Sequence, residues 1–182
     1  MVERGSSPGG ATGLATGAPP GTTGHLRLVP DEPARDHPVG WVCVISRADA
    51  LAAIATGVLC LGPTGESRLR RMQLGDGVVV YSPREGRRTG APVRRFTAVG
   101  TVTGVAAYQG DGVEPEDWCR AVDLAETGGE VPVADLLARL RFVRDEPGWG
   151  VVFRPGFLEV GIEDVEVVRA AMAAAVDPGG GA

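Results

Sequence analysis

The feature that most constrains this chain is a long β-forming pattern over residues 96–108, broken by Gly100 and Gly104. Glycines inside such a pattern mark bulges or bends, which a curved sheet needs and a flat one does not. Shorter β-branched or aromatic runs at 41–45, 58–61, 78–82, 118–124, 149–153 and 157–160 surround it, and Pro83 is expected to stop the third of these. Between them lie three helical patterns. Ser46, with Asp49 three residues on, resembles a capping box; it opens a helix over 47–55 with Ala50, Leu51 and Ile54 on one face and Gly57 at its end. Val133, Leu136, Leu137 and Leu140 have helical spacing after Pro132. Ile162, Val165, Val168 and Met172 follow Gly161 in the same way. Long helices do not alternate with strands, which argues against a doubly wound fold. The expected fold is α+β: a mixed, mostly antiparallel β-barrel of about six strands with short flanking helices.

The 182 residues suffice for one domain with tails. Residues 1–40 hold eight glycines, six prolines and no aromatic residue, too little apolar surface to offset the entropy of ordering. They read as a disordered tail, residues 41–175 as the domain, and the Gly-rich stretch 176–182 as a second tail. No apolar run is long enough to span a bilayer and no signal peptide is evident, so a cytoplasmic protein without membrane contact is expected. Cys43, Cys60 and Cys119 are odd in number and lack CxxC spacing, so reduced thiols and no metal site are expected.

Several motifs together resemble the EVE domain family. These are Trp41-Val42-Cys43-Val44-Ile45-Ser46-Arg47; Leu69-Arg70-Arg71-Met72 with Gly75-Asp76 and Tyr81-Ser82-Pro83; Phe96-Thr97-Ala98-Val99-Gly100; and Trp149-Gly150, Phe153-Arg154 and Phe157-Leu158-Glu159-Val160. EVE domains are PUA-like barrels related to the YTH readers of methylated adenine. The resemblance implies a binder of modified bases in DNA or RNA, without catalysis and without a cofactor. It also directs attention to Tyr81 and Trp149, since PUA-like readers hold a flipped base against aromatic side chains near strand ends.

The side chains themselves agree with a binding role. The only histidines, His25 and His37, fall in the expected tail, so the domain lacks the commonest general base. Glu116 and Asp117 read as solvated loop carboxylates, and Gly75-Asp76-Gly77 as a turn without the ending of a phosphate loop. Trp41, Tyr81, Phe96 and Trp149 are candidates to stack a base, with Ser46 and Ser82 as polar partners. Net charge is −5, yet residues 68–95 carry eight arginines against Asp76 and Glu85. Arg70, Arg71, Arg87, Arg88, Arg94 and Arg95 are therefore candidates for a basic rim gripping a nucleic-acid backbone. The rival readings are an enzyme or sensor for a nucleotide-like small molecule, and an interaction domain with a vestigial pocket.

Overall fold

A computed structural model describes residues 35–110, 116–143 and 148–175. In chain order its elements are β1 (Gly40–Val44), α1 (Arg47–Thr56), β2 (Val58–Cys60), α2 (Glu66–Leu69), β3 (Gly77–Arg84), β4 (Pro92–Val102), β5 (Tyr108–Gln109), β6 (Trp118–Ala125), β7 (Val131–Pro132), β8 (Phe157–Val160) and α3 (Ile162–Ala174). The strands join in one sheet of order β2-β6-β4-β3-β1-β8, with β5 on β6 and β7 on β4. Among the described residues only β1 and β3 pair in parallel. The sheet curls into a half-barrel with a few short helices, the α+β barrel-like fold expected from the sequence, with β5 and β7 as additional two-residue strands.

Both faces of the central strands are covered, which is why β1 and β3 are apolar at nearly every position. Trp41, Cys43, Val78 and Val80 face one core, closed by Ala50 and Ala53 of α1 with Leu59, Leu69 and Met72. Val42, Val79, Tyr81 and Phe96 face the other, closed by Val165, Val168 and Met172 of α3 with Val133, Leu136 and Leu140. The α1 face differs from the expected one. Ala53 is buried beside Ala50, while Leu51 is exposed.

The curvature devices are not at the glycines. Val80 pairs Ala98 and Tyr81 pairs Phe96, so Thr97 is an extra residue on β4, and its hydroxyl meets that of Ser82 at 2.8 Å. This bulge lets Phe96 and Val99, three apart, reach the same core. A second irregularity between Ser82 and Arg84 accommodates Arg94 in the left-handed region (φ 55°) and carries the strand through Pro83, which was expected to stop it. Gly100 serves close approach instead: a Cβ there would lie 1.7 Å from the Asp123 carbonyl oxygen.

Two other segments depart from their expected form. Residues 133–140 form two 3-10 turns, Val133–Asp135 and Leu137–Arg139, because a stretch so short gains little from α nucleation and its apolar spacing also suits a three-residue turn. Trp149–Phe153, expected as a strand, is likewise a 3-10 turn, entered through Gly148 at φ 98°.

The expected tails fall mostly on residues 1–34 and 176–182, outside the described residues. The domain itself begins earlier than residue 41. The Arg35 guanidinium donates to Asp76, its backbone N–H to Gln73 Oε1 (2.8 Å), and the Val39 N–H to Asp76 Oδ1 (3.1 Å). A chain starting at Gly40 is therefore expected to melt about 3–8 °C below the full chain, and one starting at Arg35 at the full-chain temperature. Equal melting of all three by calorimetry would show that these hydrogen bonds contribute nothing.

Candidate functional site

Because β1 and β3 run in parallel, their C-terminal ends finish side by side, with Val44 opposite Tyr81. The chain leaves β1 into the α1 N-terminus and leaves β3 into the β3–β4 hairpin loop. Backbone bonds from Ile45 N–H to the Tyr81 carbonyl (3.2 Å) and from Ala48 N–H to the Glu85 carbonyl (3.0 Å) hold the two exits together. Here lies a cleft of about 310 Å³. Val44, Ile45, Leu61 and Pro83 supply apolar walls; Ser46, Asp49, Arg68, Arg84 and Arg87 supply polar groups; Cys60, Gly62, Gly86 and Gly156 complete the lining.

The polar groups are ordered by one another. Ser46 Oγ accepts from the Asp49 N–H (3.1 Å), which makes Ser46 the N-cap as expected, but it donates to Asp49 Oδ2 (2.6 Å), so the Asp49 carboxylate meets the Ser46 hydroxyl where a full capping box would bring it to the Ser46 backbone N–H. Arg87 Nε donates to both Asp49 oxygens at 3.1 Å, and its NH2 lies 3.8 Å from Asp117 Oδ2. Asp117, expected to be solvated, is buried; Glu116 beside it is exposed as expected. Neither Arg68 nor Arg84 forms an ion pair among the described residues. The cleft thus carries net positive charge beside the electropositive end of α1.

Of the expected ligand-binding residues, only Ser46 lines this cleft. Trp41 is fully buried, stacks on Phe157 (centroids 4.8 Å apart) and donates its indole N–H to Asp76 Oδ2 (2.7 Å). Phe96 and Ser82 are fully buried, and Tyr81 packs on Phe153 at 4.2 Å. Trp149 is half-buried with its edge on Phe153 (6.0 Å). These five are core or core-flanking residues; Trp41, Tyr81 and Phe96 stand on strands covered on both faces, which turn their aromatic side chains inward. Of the expected backbone-gripping arginines, only Arg87 lines the cleft. Arg70 pairs Glu66 at 3.9 Å, and Arg71 pairs Glu159 at 2.6 Å and lies 5.0 Å above the Trp41 ring. Arg95 donates to the Glu130 carbonyl at 3.1 Å, and Arg88 and Arg94 are exposed. The cluster does not form one continuous rim.

Sequence reasoning missed three structural groups. Asp76 accepts from Trp41, from the Val39 N–H and from the Gln73 N–H (2.8 Å), making the Gly75–Gly77 turn a hydrogen-bond hub. Arg120 is fully buried and donates to the Leu69 carbonyl (2.9 Å) and the Gly104 carbonyl (3.1 Å). Cys60 and Cys119, expected as free thiols, are joined by a disulfide, since the β2–β6 register sets them directly opposite with Cα atoms 4.1 Å apart. A separation of 59 residues leaves no local signal for that pairing. Among the described residues no cluster could hold a metal ion, and no helix is long and apolar enough to cross a membrane.

A UPF0310 protein of Mycobacterium avium is 33% identical over 135 residues, covering 72% of this chain and 96% of its own. The chain belongs to the UPF0310 family. A UPF0310 protein of Mycolicibacterium gilvum is 39% identical over 106 residues, covering 58% of this chain and 74% of its own. No family model matches the chain. Among solved structures, protein Atu2648 of Agrobacterium tumefaciens aligns with a TM-score of 0.47 and 15% identity, over 77% of this chain and 97% of that one. In this UPF0310 protein the cleft beyond β1 and β3 gathers Ser46, Asp49, Arg68, Arg84 and Arg87 in one place.

Proposed function

We propose that this UPF0310 protein is a non-catalytic nucleic-acid-binding module of the EVE, PUA-like type, and that it seats a modified or flipped base of DNA or RNA in the cleft beyond β1 and β3. The observation that carries this reading is the combination of apolar walls with Ser46 and two arginines, Arg68 and Arg84, that form no ion pair among the described residues. A volume of about 310 Å³ suits one small planar ligand. A base stacked within a duplex cannot enter such a recess, so it must be turned out of the stack to be read there. Since no aromatic side chain lines the cleft, the ring faces are left to Val44, Ile45, Leu61, Pro83 and the guanidinium planes. Arg68 and Arg84 then meet phosphate oxygens at the mouth. Ser46 and Asp49 offer hydrogen bonds to the base edge. The one carboxylate of the lining, Asp49, is held by Ser46 and Arg87, an arrangement for positioning rather than proton transfer.

Fluorescence anisotropy with single-stranded DNA and RNA oligonucleotides, with and without a modified base, tests the proposal. Affinity is expected to fall steeply with salt, and Arg68→Gln with Arg84→Gln to flatten the log–log slope by roughly 0.7 per arginine for single strands. The double variant should weaken modified and unmodified oligonucleotides alike, because phosphate contacts position without reading sequence. Binding that stays flat between low and moderate salt would sink the nucleic-acid reading and favour a free small molecule.

A further inference from the structure

We propose that Cys60 and Cys119 form a reversible dithiol–disulfide couple whose state sets the shape of the arginine-lined cleft. The binding part of this inference rests on the function proposed above; the redox and structural parts do not.

The couple stands where the sheet meets the cleft. Ladder bonds run from the Leu61 N–H to the Trp118 carbonyl (3.0 Å) on one side and from the Val122 N–H to the Gly57 carbonyl (2.9 Å) on the other. In an antiparallel pair, hydrogen-bonded and non-hydrogen-bonded positions alternate, so counting inward makes Cys60–Cys119 a non-hydrogen-bonded pair. The disulfide is thus the direct link between the strands at this position. Its two ends are unequally held. β6 is an inner strand, paired with β2, β4 and β5, whereas β2 is a three-residue edge strand paired with β6 alone. Cys119 is fully buried; Cys60 is partly exposed and lines the cleft. Leu61 and Gly62, which continue from Cys60, form the adjoining wall, and the Gly62 carbonyl accepts from the Trp118 N–H at 3.2 Å.

Access and connectivity define the chemistry. A dithiol reductant, as a thiolate, attacks Cys60 Sγ, the sulfur of the partly exposed residue that lines the cleft. The Cys60–Cys119 bond breaks, Cys119 leaves as a thiolate and takes a proton, and a mixed disulfide joins Cys60 to the reductant. The reductant's second thiolate then displaces Cys60, which takes a proton in turn. The protein disulfide gains two electrons and two protons, and the dithiol loses the same and becomes a disulfide. Cys43 stays apart from this exchange: it is fully buried, and burial pushes its thiol up to about 12. Two thiols cannot occupy the space of a bonded pair. The edge strand β2 therefore yields rather than β6, and Leu61 and Gly62 move with it. The oxidised state holds the cleft wall in place, and the reduced state loosens it.

The test uses the full chain, poised in buffers of varied reduced to oxidised dithiothreitol ratio. Each sample is alkylated in denaturant and read by mass spectrometry, and companion samples go to amide hydrogen exchange and oligonucleotide anisotropy. The expected result is a single two-electron transition in which Cys60 and Cys119 change together while Cys43 is alkylated throughout. Exchange over residues 58–65 should quicken on reduction, and oligonucleotide affinity should drop about fivefold or more. Cys60→Ser should show the reduced-state exchange at every ratio; Cys119→Ser should do the same, and if it fails to fold, Cys60→Ser carries the comparison. The proposal is overturned if the two cysteines are alkylated at every ratio, if they stay bonded in the most reducing buffer, or if exchange over 58–65 is the same in both states. Oligonucleotide affinity equal in both states, with exchange that differs, overturns the control of the cleft. Changed exchange with no oligonucleotide binding in either state supports the redox couple and rejects the nucleic-acid function.

Discussion

Replacing Asp76 with alanine is expected to cost about 3–5 kcal/mol, enough to unfold much of the population of a marginally stable domain. The side chain is 2% exposed, and it accepts from the Trp41 indole, two backbone N–H groups and the Arg35 guanidinium. Alanine would leave the buried Trp41 indole N–H and the part-buried backbone N–H groups without their acceptor, and an unmet buried polar group costs about 1–3 kcal/mol. Asparagine would keep the shape and one acceptor but point an amide at donors, so Asp76→Asn should fall between wild type and Asp76→Ala. Urea unfolding followed by tryptophan fluorescence measures both. A loss below about 1 kcal/mol for alanine would mean that water replaces the carboxylate at little cost.

Gly100→Ala should be nearly as damaging, about 3 kcal/mol or more, through a different cause. The new methyl would sit 1.7 Å from a backbone carbonyl, that of Asp123, and backbone cannot rotate aside as a side chain can. β4 and β6 would have to separate at the centre of the sheet, where Gly100 pairs with Leu124. Gly150→Ala is the matched control, since an added methyl there meets nothing within 4 Å. Similar unfolding midpoints for the two variants would show that the sheet yields at Gly100 more easily than its pairing implies.

Features governed by neighbours in the chain were legible in the sequence. The β1 strand, the Ser46 N-cap of α1 and the apolar face of α3 each follow from residues within a turn or two of one another. Of the expected site residues, Ser46 and Arg87 lie on the cleft. Trp41 and Tyr81 lie in the core and off the cleft because β1 and β3 are apolar on both sides, and such strands carry no mark of which side chain meets ligand and which meets core. The glycines in the long β pattern pointed to curvature, yet the register shifts fall at Thr97 and around Arg94. A bulge needs an unpaired residue, and any residue type can fill that role if its side chain finds a partner, as Thr97 does in Ser82. Asp117, Arg120 and the disulfide depend on strands brought together from distant parts of the chain, and no local spacing encodes them.

The placement of β1 has a consequence for how the molecule is assembled. The hairpin of β3 and β4 is local and can close early, whereas β1 must pair with β3 in parallel and with β8 across the whole domain, Gly40 opposite Val160. Pairings so distant in sequence are slow to form, because loop-closure entropy is met before any contact rewards it. Pulse-labelled refolding is expected to protect the amides of β3 and β4 before those of β1, and simultaneous protection would contradict this order. A nascent chain still lacking β8 would then hold the cleft arginines and the hairpin without the pairing that fixes β1, so the cleft would be completed only once synthesis has passed the last strand.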